Sequence, residues 1–359
     1  MIAAMATEPL IEDLSPHGSL EAFVEDDGRA VYFYLHGSPE SEFGVRSCWV
    51  RNLVTAPSTL DVDGMQDGRA PALPADFCRD PNGALHLDRD ALRVVWFEEG
   101  DGAALLEGDD VLAIIPPWSG DDVKGYARDC IRESVLCWPL LPDNALLDRV
   151  RRADEYWSSW GTAASPWKPM QESQLAIYQQ ELGAYEKYYG IDGNEWPPKA
   201  LLRIPSSDRV TLVTIGVAIR PQPAVELVSK HPEDLRRFEL ALAMSPGFAS
   251  RYFDEVAPYM SAQSNLPWFH ITWVGHGHTV PCDAFPKTPF TAVLLLRSGL
   301  GVPQIELPPF RGDRVNLFWL IPITNAEHEF AIKQGSNELV QRLESAGVSC
   351  VAGPRHSVV

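Results

Sequence analysis

VTLVTIGVAIRPQPAVELVSKHPEDLRRFELALAM, residues 210–244, is the stretch whose reading decides the fold. Residues 210–219 form a β-branched run interrupted only by Gly216, and 238–244 alternate apolar with polar or small residues, as a half-buried strand does. Between them Pro221, Pro223 and Pro232 forbid a continuous helix, because each removes an amide donor and clashes with the preceding turn. The pattern predicts two strands of one sheet joined by a long irregular crossing. No reaction follows from it.

Downstream, 249–262 reads as a helix kinked or ended at Pro258, and 291–296 and 315–321 as buried strands. Thr324 and Glu327 have the spacing of a capping box, opening a helix toward Gly335. A last helix over 337–346 closes at Gly347. Upstream, Leu175, Tyr178, Leu182, Tyr185 and Tyr189 fall on one stripe and predict a helix over 171–189.

The first part of the chain has a different grammar. Residues 1–20 read as a lead-in, 30–35 and 45–53 as strands, and 55–82 as a Pro-rich loop. Short strands at 92–97, 103–106 and 111–115 are separated by the acidic glycine turns EEGDG and EGDD, which is antiparallel meander chemistry. Helices are expected over 121–136 and 146–160. A chain of 359 residues exceeds one hydrophobic core, so two domains are expected, 1–165 and 166–359.

Charge is unevenly spread. Residues 1–150 hold 28 Asp+Glu against 11 Lys+Arg, net -17, while 151–359 carry only -2. Such acidity argues against a nucleic-acid partner, which requires a basic surface. It suits a basic protein, attracted at long range. The longest apolar runs are too short to span a bilayer, the start has no signal-like segment, and the six cysteines form no CxxC pair. A cytosolic chain with reduced, mostly buried thiols is expected.

Catalytic motifs are missing: no GxSxG, GxxxxGK[ST] or GxGxxG is present, and no cofactor is expected. The carboxylate pairs Glu98–Glu99, Asp109–Asp110 and Asp121–Asp122 sit at or near glycine turns, where solvated acids belong. The cluster His270, His276, His278 and Cys282 offers the one metal-dependent alternative, a hydrolase, but without a standard zinc spacing.

In order, VTLVTIGVAI (210–219), RRFELALAM (236–244), LPWFHITWVGHGH (266–278), TPFTAVLLL (288–296), VNLFWLIPITNAEHEFAIKQGSNELVQRLESAGV (315–348) and the tail GPRHSVV resemble the suppressor of fused domain family, over about 171–359. The resemblance implies an α/β fold of α+β type. A mixed sheet with flanking helices would follow a strand-rich acidic α+β N-terminal domain. It also implies a protein that binds other proteins without doing chemistry. Bacterial members resemble immunity proteins that neutralise toxins, and a basic, nuclease-type toxin would match the acidity. On this reading Glu98, Glu99, Asp101, Asp109 and Asp110 contact the partner. Phe238, Glu239, Leu240 and Leu242 would supply a groove or edge strand.

Overall fold

A computed structural model describes residues 8–38, 41, 43–120 and 124–359. The chain divides into two compact units. One comprises the chain up to Ala164 with Glu226–Val228 and Trp268–Ile271; the other comprises Ser165–Val225, Ser229–Pro267 and Thr272–Val359.

The first unit is built from hairpins. β1 (Ile11–Leu14), β2 (Leu20–Asp26), β3 (Ala30–Gly37) and β4 (Val45–Asn52) form one antiparallel sheet in that order. After a one-turn helix, α1 (Val62–Gln66), come β5 (Leu92–Trp96), β6 (Ala103–Glu107), β7 (Asp110–Ile115), β8 (Tyr126–Ala127) and β9 (Trp138–Pro139). These make the second sheet, whose last pair is parallel. Leu20, Ala22 and Val24 point to one face of β2, as a period of two requires, and share a core with Phe33, Trp49, Leu105 and Ala113. The opposite face of the second sheet is closed by α2 (Ala145–Ser159), capped by Asn144. Leu146, Val150 and Ala153, one helical stripe, meet Val95, Phe97, Ala104 and Ile114 there. Each large apolar residue so buried contributes about 1.5–3 kcal/mol.

Two expectations fail in this unit. The lead-in contains β1, in register with β2 from Ile11↔Val24 to Leu14↔Glu21. The helix expected over 121–136 is not formed in its described residues, 124–136. Tyr126–Ala127 is instead held between β7 and β9, and Ile131 donates its amide to the Phe77 carbonyl. Asp121, Asp122 and Val123 lie outside the described residues.

The second unit is α+β. Its elements are α3 (Trp167–Leu182), β10 (Lys187–Gly190), β11 (Ala200–Pro205), β12 (Val210–Ile215), α4 (Val225–Val228, of which only Val225 belongs here), β13 (Arg237–Met244), α5 (Pro246–Gln263), α6 (Leu266–His270, divided between the units), β14 (Thr279–Pro281), β15 (Phe290–Leu296), β16 (Val315–Thr324), α7 (Asn325–Gln334), α8 (Ser336–Ser345) and β17 (Val351–Ala352). They give one mixed sheet of order β10-β11-β12-β13-β16-β15-β14, with β17 beside the end of β13. Helices α3 and α5 pack on its middle strands, and α7 on β15 and β16. β13 and β16 are buried along their whole length, as parallel central strands must be.

The deciding stretch forms two neighbouring strands, but the first ends early. Gly216 adopts φ +93, and a Cβ there would lie 2.5 Å from the Pro198 carbonyl. The backbone therefore leaves the sheet and Val217–Ile219 turn as a short 3-10 helix. Helix α3 also ends sooner than its stripe suggests. Gly183, at φ +101, stops it, Met170, Gln174 and Tyr178 form the buried face, and Tyr189 lies in β10. Helix α5 starts with Pro246 at its first turn and runs through Pro258 to Gln263.

Candidate partner-binding site

The two acidic glycine turns of the first unit look alike in sequence and differ in space. In EEGDG, between β5 and β6, Glu99 is 8% and Asp101 3% exposed. Glu99 pairs at 2.9 Å with Arg149 of α2, whose guanidinium lies 4.3 Å from the Phe97 ring centre. The Glu98 carbonyl lies 3.0 Å from His17 Nε2, and Glu98 itself is half-buried. This turn is an internal joint rather than a free acidic surface, which corrects the expectation for Glu99 and Asp101. In EGDD, between β6 and β7, Asp109 and Asp110 are exposed, and Asp110 meets Arg128 at 3.1 Å. That solvated pair contributes little to stability and leaves the turn open to a partner.

A second acidic surface lies where the sequence showed only a Pro-rich loop. The segments 58–77 and 133–138 enclose a cavity of about 600 Å³, lined mainly by apolar side chains such as Leu60, Leu73, Phe77, Val135 and Trp138. Val135 is 65% exposed. The same segments carry the exposed carboxylates of Asp61, Asp63, Asp67, Asp76 and Glu133. An open apolar hollow beside carboxylates suits a basic amphipathic segment, burying apolar area while its cations stay hydrated.

The expectation for residues 238–242 is corrected outright. Phe238, Glu239, Leu240 and Leu242 are at most 2% exposed. β13 pairs with β12 on one side and β16 on the other, so it presents no free edge. Glu239 belongs to an internal network. Its Oε1 accepts from the Gly216 amide (2.9 Å), the Ala218 amide (3.1 Å) and Gln174 Nε2 (3.1 Å), while Thr214 Oγ1 donates to Oε2 (2.7 Å). Thr214 Oγ1 in turn accepts the Leu240 amide at 2.8 Å. Burial raises the Glu239 carboxyl above its ordinary range against these bonds. Its role is to satisfy amides freed where β12 turns away at Gly216.

Other buried ions nearby are likewise engaged. Lys199 Nζ reaches Ser264 Oγ (3.2 Å) and Asn265 Oδ1 (2.5 Å), and burial with Arg220 nearby lowers its pKa to about 7. Arg220 also binds the Ser264 carbonyl at 3.1 Å, closing the end of α5. Arg237 Nε donates to Asp313 at 2.8 Å and its Nη1 to the Ala218 carbonyl at 3.0 Å. Near the C-terminus Thr324 and Glu327 form the expected capping box. Arg355 adds a two-pronged pair to Glu327 at 2.5 and 2.8 Å.

The histidines do not assemble. Among the described residues no group of three His, Cys, Asp or Glu is arranged to hold a metal ion, which corrects the alternative built on His270, His276, His278 and Cys282. His276 Nδ1 accepts the Arg297 amide at 3.0 Å, and His278 packs edge-on to Trp273 at 4.4 Å. Burial lowers the pKa of both. Cys282 is buried, its thiol raised to about 11 by that burial. A further cleft of about 570 Å³, beside the start of β16, mixes Glu233, Asp234 and Glu306 with Arg297 and Arg314. It therefore favours neither charge sign. Among the described residues no helix is long and apolar enough to cross a membrane.

Residues 195–355 match the family model described as suppressor of fused protein (SUFU). Similar solved structures include a Neisseria gonorrhoeae protein described as a suppressor of fused homologue, at 17% identity and TM-score 0.39, covering 53% of this chain and 97% of that one. A Sufu–Fu complex gives 12% identity and TM-score 0.38, covering 54% and 91%. Drosophila Suppressor of Fused gives 12% identity and TM-score 0.35, covering 53% and 51%. No curated protein matches the chain. On the family match, the C-terminal part of this chain, residues 195–355, carries a suppressor of fused domain.

Proposed function

We propose that this chain is a non-enzymatic protein-binding module that captures a basic protein, and that it acts in the cytosol as an immunity protein neutralising a toxin. The observation that carries this reading is the open apolar hollow of the first unit, lined by Glu133 and built from segments that carry further exposed carboxylates, in a region of net charge -17. A nuclease-type toxin holds phosphates with lysine and arginine, and an acidic surface can occupy the same groups. The suppressor of fused match supports a binding role.

The test is affinity capture of the tagged full-length chain from its own cells, washed at low and at high salt and read by mass spectrometry. One basic protein recovered near stoichiometrically, and shed at high salt, is the expected result. An acidic or neutral partner held regardless of salt would overturn the charge reading. Recovery of no partner would leave a scaffold whose acidity serves solubility.

A further inference from the structure

The large sheet of the second unit has a gap in its interior. β16 pairs with β15 from Thr324 only as far as Trp319, opposite Leu296 where β15 ends, while β13 accompanies it down to Val315. Residues 315–318 therefore have a neighbouring strand on one side only. The ladders fix which backbone groups face the gap. Leu295 gives its amide to the His278 carbonyl (2.9 Å) and accepts the Gly277 amide (2.8 Å), so it faces β14, and Leu294 and Leu296 face β16. Their partners Ile321 and Trp319 face β15, and by the period of two so do Leu317 and Val315. The other side agrees. Leu240 sends its amide to Thr214 Oγ1, toward β12, which leaves Glu239 for β16 and Asn316 and Phe318 for β13. Among the described residues, no hydrogen bond reaches the Val315 or Leu317 amide or carbonyl from the β15 side.

Val315 and Leu317 line the cleft of about 570 Å³ at the start of β16. Another wall is the extended run of residues 303–307, which makes no backbone hydrogen bond among the described residues. Arg297 is held at the gap by its Nη1 bond to Asn316 Oδ1 (3.1 Å). Asn316 is itself fixed, its Nδ2 donating to the carbonyls of Asp234 (2.8 Å) and Arg237 (3.2 Å). Arg314 and Glu306 line the same cleft, are exposed, and form no ion pair among the described residues.

We propose that this gap is a docking slot for an extended segment of a partner protein, carrying one carboxylate and one cation, which adds as a strand beside residues 315–318. The amides and carbonyls offered by Val315 and Leu317 recur about 6.6 Å apart, the two-residue repeat of a strand. An extended backbone is the ligand whose own donors and acceptors repeat at that spacing. Arg297 and Arg314 receive the carboxylate and Glu306 the cation. A lining balanced in sign suits such a mixed segment, where a purely basic or purely acidic one would meet its own charge. The slot is a second contact surface, built wholly from the second unit, and it does not depend on the partner of the acidic hollow being basic.

The experiment selects phage-displayed random heptapeptides on the full-length chain, maps each enriched peptide by hydrogen exchange and measures its affinity by calorimetry. Expected are peptides that slow exchange at the Val315 and Leu317 amides and contain both an acidic and a basic residue. N-methylation scanned along such a peptide should weaken binding at every second residue, as strand pairing requires and side-chain docking does not. Arg314→Gln, an exposed change, should weaken binding about tenfold. Val315→Pro should do the same, because it removes an amide that the slot uses and the free fold leaves unbonded. It stands at the first residue of β16, where proline is tolerated. The exchange map of the wild-type chain needs no variant to fold. No enriched peptide that slows exchange at residues 315–317, binders there without a carboxylate, or full affinity for Arg314→Gln would each overturn the proposal.

Discussion

Removing Arg355 should unlock the C-terminal tail of the second unit at a calculable cost. Its guanidinium makes four bonds, to both Glu327 oxygens (2.5 and 2.8 Å), to the Pro322 carbonyl (2.9 Å) and to the His356 carbonyl (3.1 Å), and its charge lies 5.2 Å from the Phe290 ring centre. Glu327 is 0% exposed, and without Arg355 it retains only the amides of Thr324 (2.8 Å) and Val358 (3.0 Å). Breaking a buried pair from one side leaves an uncompensated charge, so Arg355→Ala should cost about 3–5 kcal/mol. Replacing both partners, as Glu327→Gln with Arg355→Met, should cost less than the two single changes together, by about 1–3 kcal/mol. Urea unfolding would read this as a midpoint fall of about 1–2 M for the single change, taking a slope of about 3 kcal/mol/M. The pair also predicts acid sensitivity. Burial opposes ionisation of Glu327, yet the Arg355 bonds prevail and lower its pKa. Stability from this group is thus present above the ordinary glutamate range and lost as pH falls through the lowered value. A cost below 1 kcal/mol for Arg355→Ala, with no coupling in the cycle, would refute the reasoning.

Four further outcomes follow from the geometry. Glu239→Leu leaves the Gly216 and Ala218 amides and Gln174 without their acceptor and should destabilise the second unit by about 3–5 kcal/mol, read by urea unfolding. Lys199, with its pKa near 7 against 10.5 in an unfolded chain, binds fewer protons folded than unfolded between those values. Stability should therefore rise with pH across that window, by ~5 kcal/mol at most, and Lys199→Met should flatten the rise in melting curves taken at several pH values. Glu99→Gln breaks the bridge to Arg149 and should lower the melting temperature. The exposed changes Asp109→Asn and Asp110→Asn should leave stability within about 0.5 kcal/mol.

How much was legible depended on whether a signal was local. The capping box at Thr324 and Glu327 needs only the spacing of a hydroxyl and a carboxylate, and it is formed as read. The meander from Leu92 to Ile115 declares itself through glycine turns and β-branched runs. The alternation in β13 misled because Glu239 looks like a solvent-facing residue. Its partners come from Gln174, Thr214 and the turn at Gly216, and its strand is enclosed by the distant β16. EEGDG and EGDD are nearly the same string; what separates them is Arg149, which arrives from α2 to bury Glu99. The apolar cavity was hidden for a similar reason. Residues 58–77 carry no periodicity, and their apolar side chains meet 133–138 only through tertiary folding. Cys48, Cys78, Cys130 and Cys137 share one core of the first unit without any spacing rule, since β4, the Cys78–Cys130 bridge and the loop beyond it bring them together.

The central claim is that the acidic first unit draws in a basic protein. Its most direct measurement is the association rate of the captured partner across ionic strength, for the wild-type chain and for one with Asp61, Asp63, Asp109 and Asp110 changed to Asn. The wild-type rate should fall steeply with salt and the variant should be about tenfold slower at low salt, with the two converging at high salt. Equal rates for both chains at every salt concentration would contradict it.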